Sequence, residues 1–199
     1  MAFSLAFRGH SEIGLVRKNN QDSAYASPTM LVVADGMGGA AAGDLASAVA
    51  ITEIRASDGH FEGEGMLEAL AGAVNRANDR IADLVDADPD LEGTGTTVCG
   101  AMFSGTQLGI VHIGDSRGYL MRDGRLHRLT HDHSWVQSLI DIGRIDEDEA
   151  ATHPHRSLLP GEWLPSGWHH HQQNVENWST HPDQFRPHAL GTSTARHLA

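Results

Sequence analysis

The stretch Met30-Leu-Val-Val-Ala-Asp-Gly-Met-Gly-Gly39 indicates the kind of fold that this chain adopts. Residues 30–34 are apolar, and Asp35 and Gly36 follow them at once. A short apolar run bounded by turn residues predicts a buried strand that ends in a turn. An alanine-rich segment with helical spacing follows at 43–57. A buried strand followed by a helix predicts an α/β fold.

The same alternation of strands and helices extends outward from this stretch through residues 1–159. The segment 64–86 is the clearest helix, because its apolar side chains recur three and four residues apart and leave the charged ones on the opposite face. Asp123-Gly124 is a favoured centre for a tight hairpin turn. The predicted strands cover 3–7, 30–34, 96–103, 108–113, 119–121 and 126–129, and the predicted helices cover 43–57, 64–86, 131–143 and 146–151.

The C-terminal residues differ in composition from the rest. Between 160 and 199 there are five charged residues, six of the 14 histidines and three of the four tryptophans. Neither strand alternation nor a helical apolar stripe continues there. The sequence therefore predicts a domain over 1–159 and an atypical, poorly ordered tail over 160–199.

Composition excludes several classes of protein. There are 26 Asp and Glu against 14 Lys and Arg, which gives a formal net charge of −12 and disfavours a nucleic-acid partner. Cys99 is the single cysteine, so neither an internal disulfide nor a CxxC zinc site is encoded. No apolar run reaches about 18 residues, and the N-terminus lacks the basic start of a signal peptide. We expect no membrane segment and a cytoplasmic location.

Four aspartates are candidate functional residues. Asp35 and Asp115 each follow an apolar strand next to a glycine, and Asp22 ends a polar segment that begins at Arg17. Asp132 is interpreted as a helix N-cap. Spread carboxylates without sulfur ligands favour Mg²⁺ or Mn²⁺, and a nearby arginine suits a phosphate substrate. The alternative is that the Asp-Gly pair is an ordinary turn. The residues alone indicate metal-dependent phosphoester chemistry.

Six short motifs follow one another in a fixed order over about residues 4–159. They are Arg17-Lys-Asn-Asn-Gln-Asp22, Ala34-Asp-Gly-Met-Gly-Gly39 with Gly43 and Ala46-Ser47, Gly95-Thr-Thr97, Gly114-Asp-Ser-Arg117, Leu129-Thr-His-Asp-His-Ser134 and His153-Pro154. This series resembles the bacterial branch of the PPM/PP2C-type metal-dependent Ser/Thr protein phosphatases. The resemblance implies an α/β (α+β) sandwich of two antiparallel β-sheets flanked by α-helices, incomplete at the C-terminus.

The resemblance also implies a role for each candidate residue. Asp35 would bridge two Mn²⁺ or Mg²⁺ ions, and the Gly36 carbonyl would complete one of them. Asp22 would act on the second ion, and Asp115 on a weaker third ion. Arg17 would hold the substrate phosphate. The implied function is hydrolysis of phosphoserine and phosphothreonine on proteins by a metal-activated water. The implied partners are phosphorylated proteins, either substrates of Ser/Thr kinases or the kinases themselves.

The region after residue 159 departs from the family pattern. The resemblance calls for a Ser-Asp-Gly segment and a Gly-x-Asp-Asn segment, whose two aspartates would bind the first ion. Neither occurs, and the only acidic residues in that region are Glu162, Glu176 and Asp183. Fewer carboxylates hold cations less strongly, which predicts impaired activity.

Two explanations account for the departure after residue 159. The tail is either a functional replacement, in which His169-His-His171 supplies nitrogen ligands, or the product of a truncated, frameshifted or divergent gene.

The first interpretation of the function is that the chain is a phosphatase. The alternative is a non-catalytic phosphoprotein-binding or regulatory module, or a truncated pseudophosphatase.

Overall fold

A computed structural model describes residues 5–15, 17–39, 42–61, 64–104, 107–156, 176–179 and 187–189. The strands are β1 (Asp22–Ala26), β2 (Met30–Met37), β3 (Gly95–Thr96), β4 (Val98–Ser104), β5 (Gln107–Ile113), β6 (Tyr119–Arg122), β7 (Arg125–Arg128), β8 (Glu176–Ser179) and β9 (Pro187–Ala189). The helices are α1 (Ala42–Arg55), α2 (Glu64–Ala87), α3 (Trp135–Asp141) and α4 (Glu147–Thr152), with a short 3-10 helix at Pro89–Leu91.

A seven-stranded antiparallel sheet forms the centre of the fold. Its strands follow the order β1-β2-β4-β5-β8-β9, and β3 pairs with the end of β2. A separate two-stranded sheet is made by β6 and β7. The predicted mixed α/β class, with antiparallel sheets flanked by helices, is confirmed.

Helices α1 and α2 cover one face of the large sheet. In β2 every second residue points to this face, so Met30, Val32 and Ala34 are buried while Val33 is half exposed. The facing helices contribute further buried side chains, and the core cluster includes Ile51, Ile54, Leu70, Val74, Ala77, Met102 and Val111. The apolar spacing of α2 therefore serves packing.

The turn between β1 and β2 is held by the side chain of Ser27. Its hydroxyl accepts hydrogen bonds from the backbone N–H groups of Thr29 (3.1 Å) and Met30 (2.9 Å). The Ser27 N–H donates to the Met30 carbonyl at 2.8 Å. These bonds set the register in which Ala26 pairs with Leu31 and, at the other end of the strands, Asp22 pairs with Asp35.

The β6–β7 hairpin turns at Asp123-Gly124, as predicted. Both residues have positive φ, at 51° and 71°, which is the conformation that a type I′ turn requires. Residues of this hairpin and of the sheet face opposite α1 and α2 line an apolar groove of about 250 Å³. Its lining includes Leu31, Val33, Cys99, Phe103, Tyr119 and Leu120.

Several predicted bounds need correction. In the predicted strand 3–7, residues 5–7 form no strand, and 3–4 lie outside the described residues. The predicted strand 96–103 is two strands, because it is interrupted at Thr97. The predicted helix 131–143 is shorter, and α3 begins only after Ser134.

The predicted tail, 160–199, contains the two short strands β8 and β9, which the sequence did not indicate. Strand β8 pairs with β5, and β9 pairs with β8. The other residues of the tail lie outside the described residues. The division of the chain at residue 159 stays a prediction.

Candidate metal centre

Asp22 and Asp35 are brought together by the pairing of β1 with β2. They are direct cross-strand partners at the last register position of the pair. Opposed residues in an antiparallel pair have Cβ atoms about 4.5–5.5 Å apart, on the same face of the sheet. Two of the predicted site carboxylates are therefore neighbours.

The pKa of Asp35 also depends on Asp115 and Arg17. Asp35 is open to solvent on one side, but the protein around its carboxyl group partly desolvates it, and this raises its pKa. The negative charges of Asp22 and Asp115 raise the pKa further, as does a hydrogen bond with Asp22, while the positive charge of Arg17 lowers it. The charges of the other three side chains predicted for the site thus all act on the carboxyl group of Asp35.

Asp115 lies in the loop after β5. Desolvation by burial raises the pKa of this carboxyl group, and the negative charge of Asp132 adds to the effect. A backbone hydrogen bond and the positive charge of Arg117 act in the opposite direction. Asp115 is therefore a partly buried carboxylate whose pKa is raised chiefly by desolvation.

Gly36 lies where β2 comes closest to α1. Its N–H donates to the Gln21 carbonyl at 3.1 Å. A Cβ atom on Gly36 would be 2.0 Å from the Gly43 carbonyl oxygen and 2.9 Å from the Gln21 carbonyl oxygen. Only glycine allows this backbone approach, which brings the residue after Asp35 against the residue before Asp22.

Ser47, on α1, is a buried residue of the second family motif to which no role was assigned from the sequence. Its hydroxyl donates to the Gln21 carbonyl at 2.7 Å and lies 2.9 Å from the Ser23 hydroxyl. These contacts hold both chain neighbours of Asp22 against the helix. The signal in the sequence was a serine in a segment otherwise rich in alanine.

Asp132 is not the helix cap that the sequence predicted. The cap of α3 is Ser134, whose hydroxyl accepts the Gln137 N–H at 3.2 Å. The buried Asp132 carboxylate instead accepts hydrogen bonds from two guanidinium groups. Arg117 donates to it at 2.6, 2.9 and 3.1 Å, and Arg128 donates to its other side. Asp132 therefore ties the Asp115 loop to the β6–β7 hairpin.

Comparison with known families identifies the chain. The family model of Protein phosphatase 2C matches residues 6–149, which include all the predicted site residues. The chain belongs to the protein phosphatase 2C family. The predicted resemblance is confirmed.

This protein phosphatase 2C chain is similar in sequence and structure to a bacterial phosphatase. It is 50% identical over 155 residues to the serine/threonine protein phosphatase PstP of Mycobacterium tuberculosis, an alignment that covers 78% of this chain and 30% of PstP. The crystal structure of M. tuberculosis PstP/Ppp matches with a TM-score of 0.79 at 45% identity, covering 86% of this chain and 72% of that one.

A second solved structure bears on the metal. The catalytic domain of PstP in complex with 2 manganese ions matches with a TM-score of 0.76 at 43% identity, covering 86% of this chain and 71% of that one. This chain therefore spans less than a third of the whole PstP relative and most of its catalytic domain.

The residues of this family member suit a hydrated divalent ion. Among the described residues, no three metal-binding side chains converge as a closed site would require. Mg²⁺ commonly keeps several waters and binds through one or two carboxylates, as Asp22 and Asp35 can provide. The raised pKa of Asp35 indicates a cluster whose negative charge a cation would relieve. None of the described helices is long and apolar enough to cross a membrane.

The raised pKa of Asp35 predicts a pH-dependent stability in the absence of metal. Its folded-state pKa lies above the ordinary aspartate value of 3.8, so the folded chain binds more protons than the unfolded chain as pH rises above about 4. Stability is then lost as pH rises through the folded pKa. We expect metal-free Asp35→Asn to match the wild type near pH 4 and to be more stable at pH 7.5.

Urea unfolding of both proteins in EDTA checks this expectation. The difference between variant and wild type is the quantity to follow, because Asp58 has a lowered pKa and acts in the opposite direction in both proteins. A difference that does not change with pH would contradict the raised pKa of Asp35 in the folded protein.

Proposed function

We propose that this chain is a metal-dependent phosphatase that removes phosphate from serine and threonine side chains of proteins. The observation that carries the proposal is that Asp22 pairs directly with Asp35 at one end of the large sheet, where the charges of Asp115 and Arg17 also act on Asp35. Family membership and the PstP relatives support the same activity.

In this proposal the carboxylates hold the cations and the arginine holds the substrate. Asp35 would bind two Mn²⁺ or Mg²⁺ ions with Asp22 and the Gly36 carbonyl, and Asp115 would serve a weaker third ion. When bound, these ions lower the pKa of a coordinated water and stabilise charge on the phosphoryl oxygens. Arg17 is exposed, and its guanidinium can bind two phosphate oxygens at once.

The acidic site also determines how the phosphate is oriented. Carboxylates repel a phosphate dianion unless cations lie between them, whereas Arg17 attracts it. The substrate phosphate is therefore expected to enter with one side on Arg17 and the other towards the carboxylate cluster. No protein nucleophile is required, which agrees with Cys99 being an inert thiol whose pKa burial raises to about 11.

We infer that the carboxylates present among residues 1–159 hold the cations only weakly by themselves. The sequence lacks the Ser-Asp-Gly and Gly-x-Asp-Asn segments that the family resemblance calls for, and with them two metal-binding carboxylates. Fewer ligands reduce the affinity for the cations. The expected partners are phosphorylated proteins, either substrates of Ser/Thr kinases or the kinases themselves, and the expected location is the cytoplasm.

The test is Mn²⁺-dependent hydrolysis of p-nitrophenyl phosphate. We expect slow turnover that rises with Mn²⁺ concentration and falls at least about 100-fold in Asp35→Asn, because removing preorganised charge stabilisation of the transition state costs about that much. Asp79→Asn is the matched control, since Asp79 is exposed on α2. It should retain wild-type turnover.

Two outcomes would contradict the proposal. Turnover that is absent at every Mn²⁺ concentration would refute the proposed phosphatase activity. Calorimetric binding of a phosphopeptide without turnover would instead identify the chain as a phosphoprotein-binding module. Equal turnover in Asp35→Asn and the wild type would refute the assigned site.

A further inference from the structure

Thr97 lies between the two segments that carry Asp35 and Asp115. It is the residue at which the strand predicted over 96–103 is interrupted, between β3 and β4. Its N–H donates to the Asp35 carbonyl at 2.9 Å. Its side chain packs on Gly114, where a Cβ atom would be 2.7 Å from the Thr97 methyl carbon. One buried residue thus contacts both segments.

The Thr97 hydroxyl joins these segments by hydrogen bonds. It accepts the Asp35 N–H at 3.0 Å and lies 2.6 Å from the Ser116 hydroxyl. Asp35 and Ser116 are 81 positions apart in the sequence, by their numbers, and Ser116 directly follows Asp115. A single oxygen atom therefore links the backbone of one candidate ligand to the residue next to another.

Burial makes this link hard to replace. Thr97 is 3% exposed, so water has little access to its hydroxyl. The backbone of Ser116 is held as well, because its carbonyl oxygen lies 2.7 Å from Nε2 of the buried His112. Loss of the Thr97 hydroxyl would leave the Asp35 N–H without this partner and would release one of the contacts that hold the Asp115 loop.

We propose that Thr97 is a positioning residue whose hydroxyl sets the spacing between Asp35 and Asp115 and thereby the affinity of the site for divalent cations. The proposal rests on the proposed function, since it takes these carboxylates as the cation ligands. Groups that orient metal ligands typically change metal affinity by about 10- to 100-fold when they are removed.

The experiment is calorimetric titration of the whole chain with Mn²⁺, using three threonine variants. Thr97→Val removes the hydroxyl and keeps the shape of the side chain, and we expect its Mn²⁺ affinity to fall about tenfold. Thr97→Ser keeps the hydroxyl and should restore affinity to within about threefold of the wild type. Thr96→Val is the matched control, because Thr96 is equally buried at 3% and its hydroxyl donates to the Thr97 carbonyl at 3.1 Å, not to Asp35 or Ser116.

A merely structural role predicts a different pattern. It would make Thr96→Val and Thr97→Val equally weak in binding Mn²⁺, or would leave both at wild-type affinity, and either result overturns the proposal. If Thr97→Val does not fold, Ser116→Ala removes the other partner of the same hydrogen bond and should weaken Mn²⁺ binding in the same direction. Wild-type affinity in Ser116→Ala would then overturn it.

A second readout separates this proposal from the proposed function. Amide hydrogen exchange in EDTA needs no bound metal, and Thr97→Val should speed exchange at Asp35 and across residues 114–117 at least about tenfold relative to Thr96→Val. If the wild type binds no Mn²⁺, the proposed function fails on that result alone. Exchange in the 114–117 loop that is unchanged in Thr97→Val would overturn the positioning role whether or not Mn²⁺ binds.

Discussion

Gly36→Ala is expected to abolish stable folding. A Cβ atom at this position would be 2.0 Å from the oxygen and 2.5 Å from the carbon of the Gly43 carbonyl, and both atoms belong to the backbone of α1. No rotamer change relieves a contact between a Cβ atom and a helix backbone. The helix would have to move away from β2, which separates the buried side chains that the two elements share. We expect a loss of more than about 4 kcal/mol, which is exceptional for one methyl group.

Far-UV circular dichroism with thermal and urea unfolding measures this effect. Gly39→Ala, three residues further along the same segment, is the matched control, because an added Cβ there meets nothing within 4 Å among the described residues. The control should unfold with a midpoint close to that of the wild type. A cooperative, near-wild-type transition in Gly36→Ala would show that α1 does not approach β2 as closely as the structure has it.

Asp132→Ala is expected to give the second large loss of stability. The carboxylate is 6% exposed and is bound by Arg117 and Arg128, so its removal leaves two guanidinium groups beside a small buried cavity. Breaking a buried ion pair typically costs about 3–5 kcal/mol. Both arginines are partly open to solvent and can be rehydrated. We therefore expect about 2–4 kcal/mol in urea unfolding.

Asp141→Ala is the matched control for this prediction. The Asp141 carboxylate also has two side-chain partners. It accepts a hydrogen bond from Gln137 at 3.0 Å and lies 3.1 Å from Nε2 of His131, but it is 47% exposed. Exposed pairs of this kind contribute less than about 1 kcal/mol. Equal losses in the two variants would contradict the view that the Asp132 cluster ties the Asp115 loop to the β6–β7 hairpin.

Local sequence patterns predicted the elements whose formation depends on nearby residues. The apolar run 30–34 lies within β2, and the spacing over 64–86 gave α2 to within one residue. The Asp123-Gly124 turn was predicted because its backbone conformation depends on those two residues. In each case the residues that determine the element are close in sequence, within one or two helical turns or within one hairpin.

Contacts between distant segments account for what the sequence did not show. The break at Thr97 depends on Asp35, which lies 62 residues earlier. The start of α3 was predicted too early because Asp132 looked like a cap, and nothing local to it indicates the guanidinium of Arg117. The pairing of Asp22 with Asp35 likewise appears only in the strand register. The candidate site was named through the family resemblance, whereas the roles of the motif residues Thr97 and Ser47 follow only from their contacts in the structure.

The Ser27 turn has a consequence for how this protein can change in evolution. It lies at the opposite end of β2 from Asp35, about 17 Å away at the rise of an extended strand. Because side chains alternate between faces, one residue inserted or deleted between Ala26 and Met30 that shifted the register would separate Asp22 from Asp35. This turn should therefore tolerate substitution of its exposed residue, Pro28, far better than a change in its length, and a length change there should inactivate the site while the sheet persists.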